Sequence, residues 1–426
     1  MNIRMRKVLA CLLVFALCLT CTACSSSDTK DGNQKNSQSS VGQHKKKNKK
    51  SKDTKEQTDE ESKMNTDLSK EDAKELAVEM MSAMSLREKV SQMFVVNLEL
   101  LDDSMGGYYE HRLLTEKMQE TMEKYPVGGV VLFSRNIESR EQTKELISGL
   151  QKSSHIPLFV TVDEEGGDVA RIASNVNMGT TSFPPMEEVA KNETKEYAYK
   201  MGETIGSEIK ELGFNVNFAP VADVRTSESN TEIGNRSFGE DPDKVADYVV
   251  EVVKGLQDQG VSATLKHFPG HGDAKEDSHE GSVNVDNSIM RMRKIDFVPF
   301  KAGIEAGADF VMISHISVSR VTESTTPASL SSLIMTTILR EELGFEGIII
   351  TDAMDMSAIT DEYSVEKAST MAVRGGADII LMPAELETAI KSIEQAVTDG
   401  KIDEMAIDDS VLRILTNKFR RSLRAE

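Results

Sequence analysis

The 426-residue sequence contains no Trp, and its four cysteines all lie near the start, at Cys11, Cys18, Cys21 and Cys24. Everything downstream of Cys24 is therefore free of disulfides and of thiolate metal ligands. The missing Trp argues against a long open polysaccharide groove, because such grooves stack sugars on large aromatic platforms; a short, pocket-held substrate fits better. Positive charge is scarce too: 50 Lys and Arg against 70 Asp and Glu give a formal net charge of −20, which makes nucleic acid a poor partner.

The first stretch does not belong to a folded core. Arg4, Arg6 and Lys7 precede an apolar run from Val8 to Leu19 and then small residues, the pattern of a secretory signal and too short for a comfortable membrane span. Cys21-Thr22-Ala23-Cys24-Ser25 resembles a bacterial lipobox, in which cleavage precedes Cys24 and a lipid is attached to its sulfur. Cys21 stands where an aliphatic residue is usual, so ordinary signal cleavage is the alternative. A diacyl anchor on Cys24 would hold the protein stably at the outer face of the cytoplasmic membrane, and without it the protein is secreted. Loss of residues 1–23 removes three positive charges and no negative ones, leaving the mature chain more acidic still. Residues 24–66 are Ser, Lys, Asp, Asn and Gln with almost no large apolar side chain, which is the composition of a disordered tether. The basic run from His44 to Lys52 reads as simply solvated.

From residue 67 to 426 the pattern is that of a single folded domain. Helical spacing begins after Ser69, a plausible N-cap, and a second helical turn covers Ser85 to Met93. Apolar runs of strand length then occur at Phe94 to Val96, Val127 to Phe133, Leu158 to Val162, Val216 to Ala219, Val261 to Leu265, Phe310 to Ile313, Gly347 to Ile350 and Asp378 to Met382. Helical stretches lie between them, among them Ser139 to Lys152, Pro185 to Leu212, Asp243 to Gly260, Ser288 to Ala306, Leu330 to Leu343 and Val365 to Arg374. Strands that are apolar throughout, alternating with helices, predict a parallel sheet covered by helices, and eight of them fit one (β/α)8 barrel of the TIM type. An open doubly wound sheet is the alternative, but no G-x-G-x-x-G follows an early strand.

A barrel puts chemistry at the C-terminal ends of its strands. Polar clusters fall there: Asp163-Glu164-Glu165 reaching Arg171, then Asp223 and Arg236, then the stretch Lys266 to His279, then Ser314-His315 and Thr351-Asp352. The stretch KHFPGHGDAKEDSH holds three of the seven histidines and is broken by Pro269, Gly270 and Gly272, so a loop is expected from Lys266 onward. It admits three readings. A metal site is disfavoured, since Pro269 and Gly270 deny His267 and His271 a shared helical face and no H-E-x-x-H is present; no metal or organic cofactor is expected. A structural hub, with His267 and His271 tying down the loop, is open. The third is acid/base chemistry at Asp277-Ser278-His279, where a carboxylate two residues away favours the imidazolium and so a proton donor near neutral pH. Asp352, at a strand end, is the best second partner, although Asp there is also a common helix N-cap and Asp355 competes with it.

These residues resemble glycoside hydrolase family 3, and within it the β-N-acetylglucosaminidase branch. The resemblance covers about residues 85–420 and rests on SLREKVSQMF at 85–94, VDEEGGDVARI at 162–172, FAPVADV at 218–224, GNRSFGEDP at 234–242, KHFPGHGD at 266–273 with DSH at 277–279, and TDAMDM at 351–356. It implies that Asp352 is the nucleophile, that His279 paired with Asp277 is the acid/base residue, and that Asp163, Arg171, Arg236, Lys266 and His267 bind the non-reducing-end sugar. The DSH element sets this branch apart from the family's β-glucosidases and β-xylosidases. One departure is Asp168, where the family usually has Arg after the glycine pair.

The implied reaction is removal of a terminal non-reducing β-linked N-acetylglucosamine with retention of configuration, through a covalent glycosyl-enzyme. Peptidoglycan or muropeptide fragments are the expected source and chitooligosaccharides the next. Release of the sugar to phosphate stays open, because a His acid/base does not repel that anion, and so does action on a glucoside. A sugar-binding lipoprotein without catalysis is the reading from another class, and it has no need of Asp352 together with His279.

Overall fold

The computed structural model describes residues 68–275 and 281–421. Its strands in chain order are β1 (Phe94–Val96), β2 (Gly129–Val131), β3 (Phe159–Val162), a hairpin of β4 (Glu164–Gly166) and β5 (Val169–Ala170), β6 (Val216–Asn217), β7 (Ser262–Phe268), β8 (Phe310–Ile313), β9 (Ile348–Ala353) and β10 (Ile379–Leu381). All but the hairpin close into one parallel barrel in the order β1, β10, β9, β8, β7, β6, β3, β2, with Phe94 opposite Ile380 and Val95 opposite Gly129 where the ends meet. This is the (β/α)8 barrel that the alternation of runs predicts. Barrel strands face side chains on one side and the helical layer on the other, so both faces are dry. Every residue of β1, β2, β3, β6, β7, β8 and β10 is accordingly buried.

The helices start where short polar side chains can take up free N–H groups. Ser69 accepts from the Asp72 amide, Ser85 and Glu88 form a capping box, and Asp241 caps the helix Pro242–Asp258 with proline in its first turn. That helix lies against the helix Lys195–Leu212 at very short range. A Cβ at Gly255 would stand 2.3 Å from the Tyr199 carbonyl oxygen, so only glycine allows the approach.

Three stretches differ from the sequence reading. Pro185 to Leu212 is two helices, Met186–Asn192 and Lys195–Leu212, divided at Glu193 and Thr194, where Thr194 takes the capping position of the second. Ser288 to Ala306 is likewise divided into Ile289–Lys294 and Phe297–Glu305, with Pro299 tolerated because it falls in a first turn. The stretch Leu333–Glu342 is wound as a π-helix, which residue spacing alone does not distinguish from an α-helix. The strand β7 also runs three residues further than its breakers suggest. The Lys266 carbonyl accepts from the Ala222 amide at 2.6 Å and Phe268 pairs with Ile313, so Lys266 and His267 sit on the sheet and the loop begins at Pro269.

The C-terminal helix Glu404–Arg420 carries one buried amine into the domain. Lys418 is fully buried; its Nζ donates to Gln92 Oε1 and to the Gly128 carbonyl, both at 2.8 Å, and lies 4.9 Å from the centre of the Phe159 ring. No carboxylate pairs with it among the described residues, and burial drives its pKa well below the ordinary lysine value. A neutral amine has two N–H groups, which matches its two acceptors. The unfolded chain binds a proton here that the folded chain does not, so stability rises with pH until the unfolded lysine itself titrates near 10.4. Urea unfolding across neutral and mildly alkaline pH should therefore show wild-type stability climbing relative to Lys418→Met, approaching a relative slope of about 1.4 kcal/mol per pH unit. Parallel pH profiles for the two proteins would mean that the folded lysine is charged.

Candidate active site

The end of β3 turns into the β4–β5 hairpin, and alternation along this strand sends Asp163 and Glu165 to one side and Glu164 to the other. Glu164 is structural: its two oxygens accept from the amides of Ile172 at 2.7 Å and Ala173 at 2.9 Å, and burial, partly offset by these bonds, raises its pKa to about 7. Glu165 is buried and lies between two cations. Arg236 grips it with Nε at 2.9 Å and Nη2 at 2.8 Å, a bidentate pair, and Lys266 Nζ stands 2.6 Å from its Oε1. Burial would raise the Glu165 carboxyl, but the charges and hydrogen bonds of Arg236 and Lys266 overturn that and hold it well below the usual carboxylate range. Lys266 Nζ also reaches Asp163 Oδ1 at 2.6 Å, and Arg171 closes the group, with its amide on the Asp163 carbonyl at 3.2 Å and Nη2 at 3.9 Å from Oδ2.

Asp223 organises the next sector from a fully buried position beyond β6. One oxygen accepts the amide and the Nδ1 proton of His267, at 3.0 and 2.7 Å, and the other accepts the His271 amide at 2.6 Å. A carboxylate only accepts, so His267 carries a proton on Nδ1, and its Nε2 lies 3.4 Å from Arg236 Nη2. His271 is a loop fastener: its carbonyl accepts from Asn230 Nδ2 at 2.8 Å and its Nε2 lies 3.4 Å from Glu232. Burial lowers its pKa against the pull of Glu232 and Asp223.

Asp352 ends the dry part of β9. Its Oδ1 accepts the Ala353 amide at 2.8 Å, while the Ala353 carbonyl accepts from Nε2 of the buried His315 at 2.8 Å. Ser329 Oγ sits 2.7 Å from the other ring nitrogen of His315. Burial would raise the Asp352 carboxyl, but His315, His267, the Ala353 amide and Lys266 together hold it below its ordinary value, so it is ionised at neutral pH. Its neighbour Asp355 is pushed the other way, to about 6, by burial and by the Asp352 charge.

The structure thus brings Asp163, Arg171, Arg236, Lys266 and His267 together at the mouth, with Asp352 within electrostatic reach of Lys266 and His267. Asp277, His279 and Cys24 lie outside the described residues. Glu165, Asp223 and His315 were placed by sequence in the polar clusters at strand ends but given no role in the site. The signal for Glu165 was its spacing of two from Asp163; for Asp223 and His315 it was only their place at strand ends. Asp168 accepts from Asn235 Nδ2 at 2.8 Å, which ties the hairpin to the turn Gly234–Arg236. Among the described residues no group of three or more His, Asp or Glu side chains is placed to hold a metal ion.

Carboxylates, guanidinium groups and imidazoles thus gather at the strand ends of one parallel barrel. Residues 85–417 match the profile described as Glycosyl hydrolase family 3 N terminal domain, and the chain belongs to that family. It is 34% identical over 340 residues to Beta-hexosaminidase A of Pseudoalteromonas piscicida, covering 72% of this chain but only 56% of that one. It is 33% identical over 345 residues to Beta-hexosaminidase LpqI of Mycobacterium tuberculosis, covering 79% and 83% respectively. The solved glycoside hydrolase family 3 beta-N-acetylglucosaminidase from Paenibacillus sp. str. FPU-7 superposes with a TM-score of 0.74 at 35% identity, over 80% of this chain and 63% of that one.

Neutralising Glu165 should strand two buried cations. Glu165→Gln is expected to lose about 3 kcal/mol of unfolding free energy or more in urea titration. A loss under about 0.5 kcal/mol, the range of ordinary surface changes, would show that Asp163 alone compensates both cations.

Proposed function

We propose that the chain is a retaining exo-β-N-acetylglucosaminidase. The observation that carries this is Asp352, a carboxylate kept ionised at the end of β9 within electrostatic reach of a cluster of donors and acceptors. Arg171, Lys266 and Arg236 donate and Asp163 accepts, so hydroxyls of a terminal pyranose meet both donors and an acceptor here. The relatives named beta-hexosaminidase favour an N-acetylhexosamine in that place.

In the first step Asp352 attacks the anomeric carbon while His279 protonates the departing oxygen; the C–O bond to the leaving group breaks and a glycosyl ester on Asp352 forms. In the second, His279 takes a proton from water, whose oxygen displaces Asp352 and frees the sugar. Asp277, two residues before His279 in the chain, would favour the charged form of that imidazole. Two inversions give net retention. Attachment through Cys24 would place this activity outside the cytoplasmic membrane, where peptidoglycan fragments supply terminal β-linked N-acetylglucosamine.

Aryl β-glycosides of N-acetylglucosamine, glucose and xylose, assayed with and without phosphate, test the proposal. The N-acetylglucosaminide should be cleaved best and without phosphate, and turnover of none of the three would contradict the enzyme reading. Asp352→Asn should retain less than about a thousandth of kcat. His279→Ala should lose about a hundredfold or more on poor leaving groups and little on very acidic ones, which need no proton. An equal loss on every leaving group would assign His279 another role.

A further inference from the structure

On the reading above, Asp163, Lys266 and Arg236 hold the terminal sugar, and the leaving group extends from it past Asp352. Among the described residues only two aromatic side chains are exposed, Tyr108 at 82% and Tyr109 at 42%, in a protein without Trp. Both belong to the loop that leaves the C-terminal end of β1, and only β10 separates β1 from β9, the strand of Asp352. Tyr108 is held in the left-handed region, at φ 59°, directly after Gly106 and Gly107. An exposed ring of this kind contributes nothing to a core.

What holds one of its faces is Arg135, from the turn after β2. Its guanidinium carbon lies 5.6 Å from the centre of the Tyr108 ring and 4.4 Å from that of Phe133, and its Nε is fixed by the buried Glu99 at 2.6 Å. Arg135 and Glu99 act electrostatically on Asp355, as Asp352 does. Arg135 supports one face of the ring from within, and the ring as a whole faces solvent.

Resting on the glycosidase reading above, we propose that Tyr108, braced by Arg135, is the platform on which the ring of the leaving-group sugar stacks. The ligand class is a second pyranose, β-linked to the terminal N-acetylhexosamine, with its C–H face against the aromatic ring. Reducing-side sugars of chitooligosaccharides and of peptidoglycan disaccharides share this chemistry. Methyl glycosides, which carry no second ring, do not.

The test is the ratio of kcat/KM for a disaccharide to kcat/KM for the methyl β-glycoside of N-acetylglucosamine, in full-length wild type, Tyr108→Ala and Tyr108→Phe. Tyr108→Ala should lower the ratio by about fivefold or more, and Tyr108→Phe should keep it within about twofold of wild type. Running the assay with N,N′-diacetylchitobiose and with N-acetylglucosaminyl-β-1,4-N-acetylmuramic acid separates the two sources, the natural one showing the larger drop. An unchanged ratio in Tyr108→Ala overturns the platform while leaving the glycosidase reading intact. A loss in Tyr108→Phe equal to that in Tyr108→Ala overturns stacking in favour of a hydroxyl contact. A wild-type chain that cleaves neither substrate nor an aryl glycoside overturns both readings.

Discussion

A carboxylate sealed away from water is tolerable only if its charge is fully met, and Glu165 meets two cations, Arg236 at 2.8 Å and Lys266 at 2.6 Å. Lys266 and Arg236 cannot leave without stranding it. Their remaining donors therefore face the mouth in fixed directions, Lys266 onto Asp163 and Arg236 toward His267. Asp223 does the same for His267 by accepting both its amide and its ring proton. The atoms proposed to bind sugar are thus held in place by Glu165 and Asp223, groups with no proposed contact to it.

The arrangement also divides labour between charges. Asp352 is kept ionised by positive neighbours while Asp355, three residues on and more dependent on burial, is raised to about 6. Two carboxylates close together cannot both ionise freely, and here the environment decides which one does. The Ala353 backbone is fastened on both sides, its N–H on Asp352 and its carbonyl on His315, so the direction of the Asp352 oxygen is tied to a buried ring just past the neighbouring strand β8.

Much of this was legible in the sequence because a barrel strand is dry on both faces, and dry strands read as unbroken apolar runs. All eight runs became strands, and Asp163, Lys266, His267 and Asp352 followed from where those runs stop. What stayed hidden depends on partners far apart in the chain. Spacing puts Glu165 on the same side as Asp163, but nothing local shows that cations meet it there, since that rests on Arg236, 71 residues away. The extra length of β7 beyond its apolar run comes with the Lys266 carbonyl bonding Ala222, which keeps the polar Lys266 and His267 on the sheet up to the breaker Pro269. The divided helices reflect local competition, as at Thr194, between capping and continuing.

The central claim is that Asp352 forms the bond to sugar, and the most direct measurement of it is mass spectrometry of the protein after reaction with a slow, fluorine-deactivated N-acetylglucosaminide. The account predicts a single glycosyl adduct whose proteolytic map places it on Asp352, and which disappears on adding an acceptor. An adduct on Asp355 or another residue, or turnover with inverted configuration and no adduct, would contradict it.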